Sequence, residues 1–206
     1  MLDVWPALLL IVSNRLGLAP VEAPGVESNI LAAVEHHDRV REIDLRCVPG
    51  WFLERLATVA QEPYPELTSL ELRSNDGFAS VLPDSFLGGS APRLRTLVLD
   101  SIPFPGLPKP LLTASNLVQL HLNRIPNSGY ISPDAMVACV LTMNNLEFLH
   151  LNTDLLYLAQ IDGAGVRLRG LTLFSLLSPV FGSTARVNIW RTSLPRSVLL
   201  NSTSST

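Results

Sequence analysis

The chain is 206 residues long, with a formal net charge of −3 and an isoelectric point near 5.8. Its 15 Lys and Arg are outnumbered by 18 Asp and Glu and form no run, which excludes a nucleic-acid or anionic-membrane surface built on clustered cations. Mean hydropathy is high at +0.30, but no apolar stretch reaches the length of a membrane-spanning helix.

The apolar opening from Val4 to Val12 has two readings. A secretory leader would want basic residues ahead of it, where Asp3 stands instead. The preferred reading is an edge strand on the pattern Trp5-x-x-Leu8-x-Leu10. Ser28 then caps a helix over residues 29–36, with Ile30, Leu31 and Val34 on one face. After a turn at Pro49-Gly50, residues 51–60 place Phe52, Leu56, Val59 and Ala60 at helical spacing. Residues 83–89 and 103–110 hold too many Pro and Gly for long helices and read as short turns or single-turn 3₁₀ pieces. Ser132-Pro133-Asp134 starts a further helix that carries Met136, Val137, Val140 and Leu141 and ends at Asn144-Asn145. The expected domain spans residues 1–174. Residues 175–206 read as a disordered tail or an irregular cap built from Leu176-Leu177 and Val187 to Trp190.

Between these pieces one pattern returns six times. It reads Val40-x-x-Ile43-x-Leu45, Leu67-x-x-Leu70-x-Leu72, Leu94-x-x-Leu97-x-Leu99, Leu117-x-x-Leu120-x-Leu122, Leu146-x-x-Leu149-x-Leu151 and Leu168-x-x-Leu171-x-Leu173. The intervals are 27, 27, 23, 29 and 22 residues, all within the roughly 20–29 of a leucine-rich repeat. The expectation is an α/β leucine-rich-repeat solenoid. Parallel strands at 43–45, 70–72, 97–99, 120–122, 149–151 and 171–173 would lie in sequential order, joined by helical or irregular returns. Leu97-Val-Leu-Asp-Ser-Ile-Pro-Phe-Pro-Gly106 and Leu120-His-Leu-Asn-Arg-Ile-Pro-Asn-Ser-Gly129 are near copies, with an Ile-Pro step that turns the chain out of each strand. Asn75 alone fills the buried-asparagine position three residues past the third motif apolar.

The stretches Trp5-Pro6-Ala7-Leu8, Asn29-Ile-Leu-Ala-Ala-Val-Glu-His-His-Asp-Arg-Val-Arg-Glu-Ile-Asp-Leu45, Gln61-Glu-Pro-Tyr-Pro-Glu-Leu-Thr68, Leu82-Pro-Asp-Ser-Phe-Leu-Gly-Gly-Ser-Ala-Pro-Arg-Leu94 and Ser128-Gly-Tyr-Ile-Ser-Pro-Asp-Ala-Met136 resemble the repeat region of fungal F-box leucine-rich-repeat proteins. The resemblance covers roughly residues 1–152. It implies repeats that recruit a protein target to a cullin-based ubiquitin ligase, whose adaptor is bound by an F-box ahead of the repeats. No F-box precedes Trp5, so adaptor binding is expected only if one is supplied elsewhere. The departure from the family at both ends reads as a truncated or altered gene product.

Side chains alternate across a strand, so residues between the motif apolars face away from the core. One column so defined runs Leu9, Asp44, Glu71, Val98, His121, His150, Thr172. The next runs Ile11, Arg46, Arg73, Asp100, Asn123, Asn152, Phe174. From Asp44 to Asn152 these columns are the candidate protein-binding face, with Asp44, Glu71, Arg46 and Arg73 as a compact charged quartet. Reversing Arg46 and Arg73 to Glu is expected to abolish partner capture at unchanged stability. His121 and His150 are expected as neighbours in a polar ladder, without a third ligand for a metal. His36-His37-Asp38 sits at a helix end, and the glycines at 163, 165 and 170 fail the dinucleotide spacing. Cys47 and Cys139 read as buried free thiols in a reducing compartment. The expected function is non-enzymatic recognition of a protein or peptide, with no cofactor, in the cytoplasm or nucleus. The alternative is a secreted or cell-surface recognition protein, for which the sequon at Asn201 would count.

Overall fold

A strand that must bury one row of leucines and wet the other needs a neighbour presenting the same alternation. The computed structural model describes residues 8–14, 21, 25–75, 81–103, 114–126, 139–140, 142–152, 167–168, 171–176 and 186–190, with backbone alone from residue 152 onward. Six strands form its principal sheet: β1 (Leu10–Ser13), β2 (Val40–Val48), β3 (Ser69–Ser74), β4 (Thr96–Asp100), β5 (Gln119–Asn123) and β6 (Phe148–Asn152). They are all parallel and lie in sequential order.

Register follows the motif. Ile43, Leu70, Leu97, Leu120 and Leu149 pair in one row, and Leu45, Leu72, Leu99, Leu122 and Leu151 in the next. Both rows face the core, together with Val40 at the start of β2 and Leu67, Leu94, Leu117 and Leu146 just ahead of β3 to β6. The backbone ladder begins before the strands do. Thr68 donates to Arg41, Arg95 to Thr68, Val118 to Arg95 and Glu147 to Val118, at 2.8, 2.8, 2.8 and 2.9 Å.

Chain exit from three strands uses one device. Cys47, Ser101 and Arg124, each two residues past the third motif apolar, adopt left-handed φ of 53°, 59° and 49°. That conformation costs a non-glycine residue about 1–2 kcal/mol. It swings the next residue back into the core, and Val48, Ile102 and Ile125 are buried there. Proline follows each of them. The Ile-Pro step expected in two repeats therefore has a third copy, Val48-Pro49.

The early returns are helical. Helix α1 covers Val26–Val34 and buries Ile30, Leu31 and Val34 as expected. Its cap is Gly25, at φ 81°, rather than Ser28, whose hydroxyl donates to the Gly25 carbonyl from inside the first turn. Helix α2, Gly50–Val59, buries Phe52, Leu53, Leu56 and Ala57, and an Arg55–Glu27 ion pair ties it to α1. A 3₁₀ turn occupies Phe86–Gly89, as its composition requires. There Leu87 is buried and donates to the Ala60 carbonyl at 2.7 Å. Gly88, at φ 57°, packs so tightly that a Cβ would stand 2.4 Å from the Pro63 nitrogen. Tyr64 is fully buried, donates to the Val34 carbonyl at 2.8 Å, and has its phenol pKa pushed up by that burial.

The structure departs from the sequence-based expectation at both ends and at two residues, Asn75 and Cys47. The first strand sits lower than the Trp5-x-x-Leu8-x-Leu10 pattern puts it, with Val12 opposite Ile43 and Ser13 opposite Asp44. Val12 is the buried member, while Leu8, Leu9 and Ile11 are exposed. The sixth pattern is not a parallel repeat. Leu168 and Leu171, its first two apolars, face each other across an antiparallel pair formed by β7 (Arg167–Leu168) and β8 (Leu171–Leu176). Two intervening residues suffice for antiparallel strands, whereas parallel ones need a crossover of a dozen or more. Strand β9 (Arg186–Trp190) pairs antiparallel with both β6 and β8, giving the order β6-β9-β8-β7 at this end. Asn75 is exposed; buried Ser74 donates instead to the Val48 carbonyl at 2.9 Å. Of the two free cysteines, Cys139 is buried but Cys47 is exposed, because its left-handed turn points it out of the core. Residues 104–110, the helix start at 132–134, the glycines at 163, 165 and 170, and Asn201 lie outside the described residues; Cys139, Val140 and Thr142 are helical. No helix among the described residues is long and apolar enough to cross a membrane.

Gly25 and Gly88 separate backbone strain from crowding. Alanine at Gly25 meets nothing within 4 Å and is expected to cost about 1–2 kcal/mol from the left-handed φ alone. Alanine at Gly88 adds overpacking of about 1–3 kcal/mol. Denaturant unfolding of the two variants should therefore rank Gly88→Ala clearly below Gly25→Ala, and equal losses would contradict the close approach at Pro63.

Candidate functional site

The face opposite the leucine rows is three residues wide. Its central column pairs Asp44, Glu71, Val98, His121 and His150 on successive strands, as the motif spacing implied. The column toward the strand ends pairs Arg73, Asp100, Asn123 and Asn152. Arg46 precedes Arg73 in that column but falls in a register shift between Leu45 and Val48. Asn14 braces it, donating to the Arg46 carbonyl and accepting from its N–H, both at 2.8 Å. Thr172 and Phe174 do not extend these columns, since His150 pairs with Asn188 of β9.

The charged quartet resolves into two pairs within strands. Arg46 reaches Asp44 at 3.3 Å and Arg73 reaches Glu71 at 3.4 Å. Each arginine is more than a third exposed, so each pair contributes only about 0–1 kcal/mol. The stronger electrostatic centre is Asp100, which is 4% exposed. Its Oδ1 accepts from Arg124 Nε and Nη2, both at 2.8 Å, and from the Ser101 hydroxyl at 3.2 Å. Its Oδ2 accepts from Asn123 at 2.8 Å and lies 4.0 Å from Arg73. Burial alone would raise the Asp100 pKa. The hydrogen bonds from Arg124, Asn123 and Ser101 and the Arg124 charge outweigh it and hold the carboxyl below its usual value.

Val98 and Asp100, included in the expected binding face, are buried although they point outward. Valine is too short to rise above its neighbours in the column, and Asp100 is enclosed by its own donors. They shape the face without presenting contact atoms. Reversal of Arg73 accordingly cannot be silent in stability, since glutamate there would stand beside Glu71 and Asp100.

Toward β6 the face becomes aromatic. His121 stacks on Phe148 with ring centroids 4.7 Å apart and planes 27° apart, and the His150 ring lies 5.8 Å away. The His121 pKa is lowered, first by burial and then by repulsion from His150 and Arg73, against the opposing pull of Glu71. Among the described residues no three His, Cys, Asp or Glu side chains are grouped to hold a metal ion. His36 and His37 lie beyond the end of α1, with the His37 ring 6.2 Å from Tyr64 in an edge-on arrangement.

Two contributors escaped the sequence reading. Glu42, Ser69, Thr96, Gln119 and Phe148 form a third outward column, one residue before each second motif apolar. Strand parity alone would have found it. Arg124 lies beyond β5, and only the left-handed turn there brings its guanidinium back to Asp100. No protein-family model matches the chain, and neither a curated protein nor a solved structure matches it at a significant level.

Asp100 sets a pH-dependent prediction. Asp100→Asn is expected to cost about 1.5–3 kcal/mol at neutral pH, the range of hydrogen bonds to a charged group. A carboxyl whose folded pKa is depressed contributes stability that is present above its unfolded value and lost as pH falls through the folded one. The gap between wild type and Asp100→Asn should thus close progressively below about pH 4. A gap that persists unchanged at acid pH would assign Asp100 a role other than charge.

Proposed function

We propose that the chain is an irregular leucine-rich-repeat solenoid that recognises a protein or peptide on the outward face of its parallel sheet and carries out no chemistry of its own. The observation that carries this reading is the register. Five successive strands present half-buried polar and aromatic side chains in aligned columns, while their leucines are consumed by the core. Such a surface is rigid before binding, so a partner bears little of the ordering cost of the receptor.

The resemblance over residues 1–152 extends the proposal. In that reading the repeats are the target-recruiting half of an F-box-type ubiquitin-ligase receptor, with adaptor binding supplied by a segment outside the repeats. The unpaired cysteines, one exposed, suit a reducing cytoplasmic or nuclear setting better than a secreted one.

The test is capture of partners from the source cell with outward-face and helix-side variants. Phe148→Asp and Gln119→Lys, on the outward face, are expected to reduce capture at least about tenfold, the scale of losing one anchoring contact. Trp51→Ser and Arg55→Glu, on α2, are expected to leave it unchanged. Loss through the α2 variants alone would move the binding surface to the helical side.

A further inference from the structure

His121 and His150 stand at the same position of neighbouring strands, half-buried, with ring centroids 5.8 Å apart. Phe148 stacks on His121 and fixes the plane of that ring. On the other side lies the low floor of Val98, and beyond it Glu71 and Arg73 of β3. Asp100, Asn123 and Arg124 close the strand-end side, where Asp100 is already saturated by its donors. Farther along the face Asp44 is engaged by Arg46 and Glu71 by Arg73. Among the described residues neither imidazole hydrogen-bonds to a carboxylate.

Among the described residues the carboxylates of this face thus have cationic partners, while the rings packed together are those of His121, His150 and Phe148. We propose that the His121–His150 pair is the anchor for a carboxylate side chain of the partner, an aspartate or glutamate of a protein or peptide, taken up together with protons. This rests on the outward face being the binding surface. His150 and Arg73 both oppose a proton on His121, and Glu71 alone favours one. A carboxylate placed against the two rings supplies the missing negative charge and offsets their mutual repulsion. An apolar anchor stacking on Phe148 would instead require neutral rings and would bind more weakly in acid.

The sign follows from linkage. A bound carboxylate raises the imidazole pKa values, so affinity grows as pH falls through the bound-state values and levels off below the free-state ones. Each unit of rise corresponds to about tenfold in affinity.

The test follows the four imidazole resonances of the full chain by NMR, from about pH 8 to about pH 5.5, the span of histidine titration. The probes are acetyl-hexa-aspartate amide and its hexa-asparagine counterpart. Hexa-aspartate is expected to raise the midpoints of His121 and His150 while leaving His36 and His37 in place. Its affinity should rise about tenfold across the range, and His150→Gln or His121→Asn should remove most of that gain. Unmoved midpoints, equal binding of the two peptides, or tighter binding at high pH would overturn the anchor. If outward-face variants abolish partner capture while hexa-aspartate moves no midpoint, the surface reading stands and the carboxylate anchor falls.

Discussion

A short parallel strand has no stable existence alone, and the fold rests on the in-register stacking of one leucine alternation upon the next. Rows from Ile43 to Leu149 and from Leu45 to Leu151 bury their side chains only because each strand repeats its neighbour's phase. A slip of one residue would send a whole row to solvent and bring Asp44, Glu71 or His121 into the core. Burying an unpaired charge there costs far more than a leucine gains. The register is therefore held from both faces at once, by leucines that must be dry and by charges that must not be.

The same constraint shapes the outward face. Since the leucines fix each strand's phase, the side chains between them fall into columns whatever their identity. Their chemistry is free to vary along the sheet, and it does. Paired charges occupy β2 and β3, a saturated buried carboxylate lies on β4, and an imidazole–phenyl cluster spans β5 and β6. The left-handed exits at Cys47, Ser101 and Arg124 connect the two faces. Each sends one apolar residue back to the core edge, and at Arg124 the same turn delivers a guanidinium to Asp100. Arg73 shows the cost of a crowded face, for its Nε is enclosed without a hydrogen-bond partner among the described residues.

Much of this was legible in the sequence, for a physical reason. Period-2 alternation at a fixed repeat spacing determines both the core rows and the columns opposite them, so pairings such as His121 with His150 follow from counting. What failed has equally definite causes. Leu168 and Leu171 carry the repeat spacing, yet a step of three positions also joins partners across a tight antiparallel pair, and spacing cannot tell the two apart. Val98 and Asp100 point outward by parity but are buried, because accessibility depends on the height of neighbouring side chains. Arg124 lies off the strand, and although an apolar-Pro step follows each such turn, that step does not reveal that the residue ahead of it is left-handed and swings back over the sheet. The first strand was misplaced because an unbroken apolar run from Ala7 to Val12 has no phase of its own.

The most direct test of the account is the register itself, read as nuclear Overhauser contacts between backbone protons of neighbouring strands in the labelled chain. Parallel contacts that place Leu97 beside Leu120 and Leu120 beside Leu149, with His121 beside His150, are the expected result. Antiparallel contacts among these strands, or a parallel set displaced by one residue, would contradict it and would dissolve the outward columns along with the core rows.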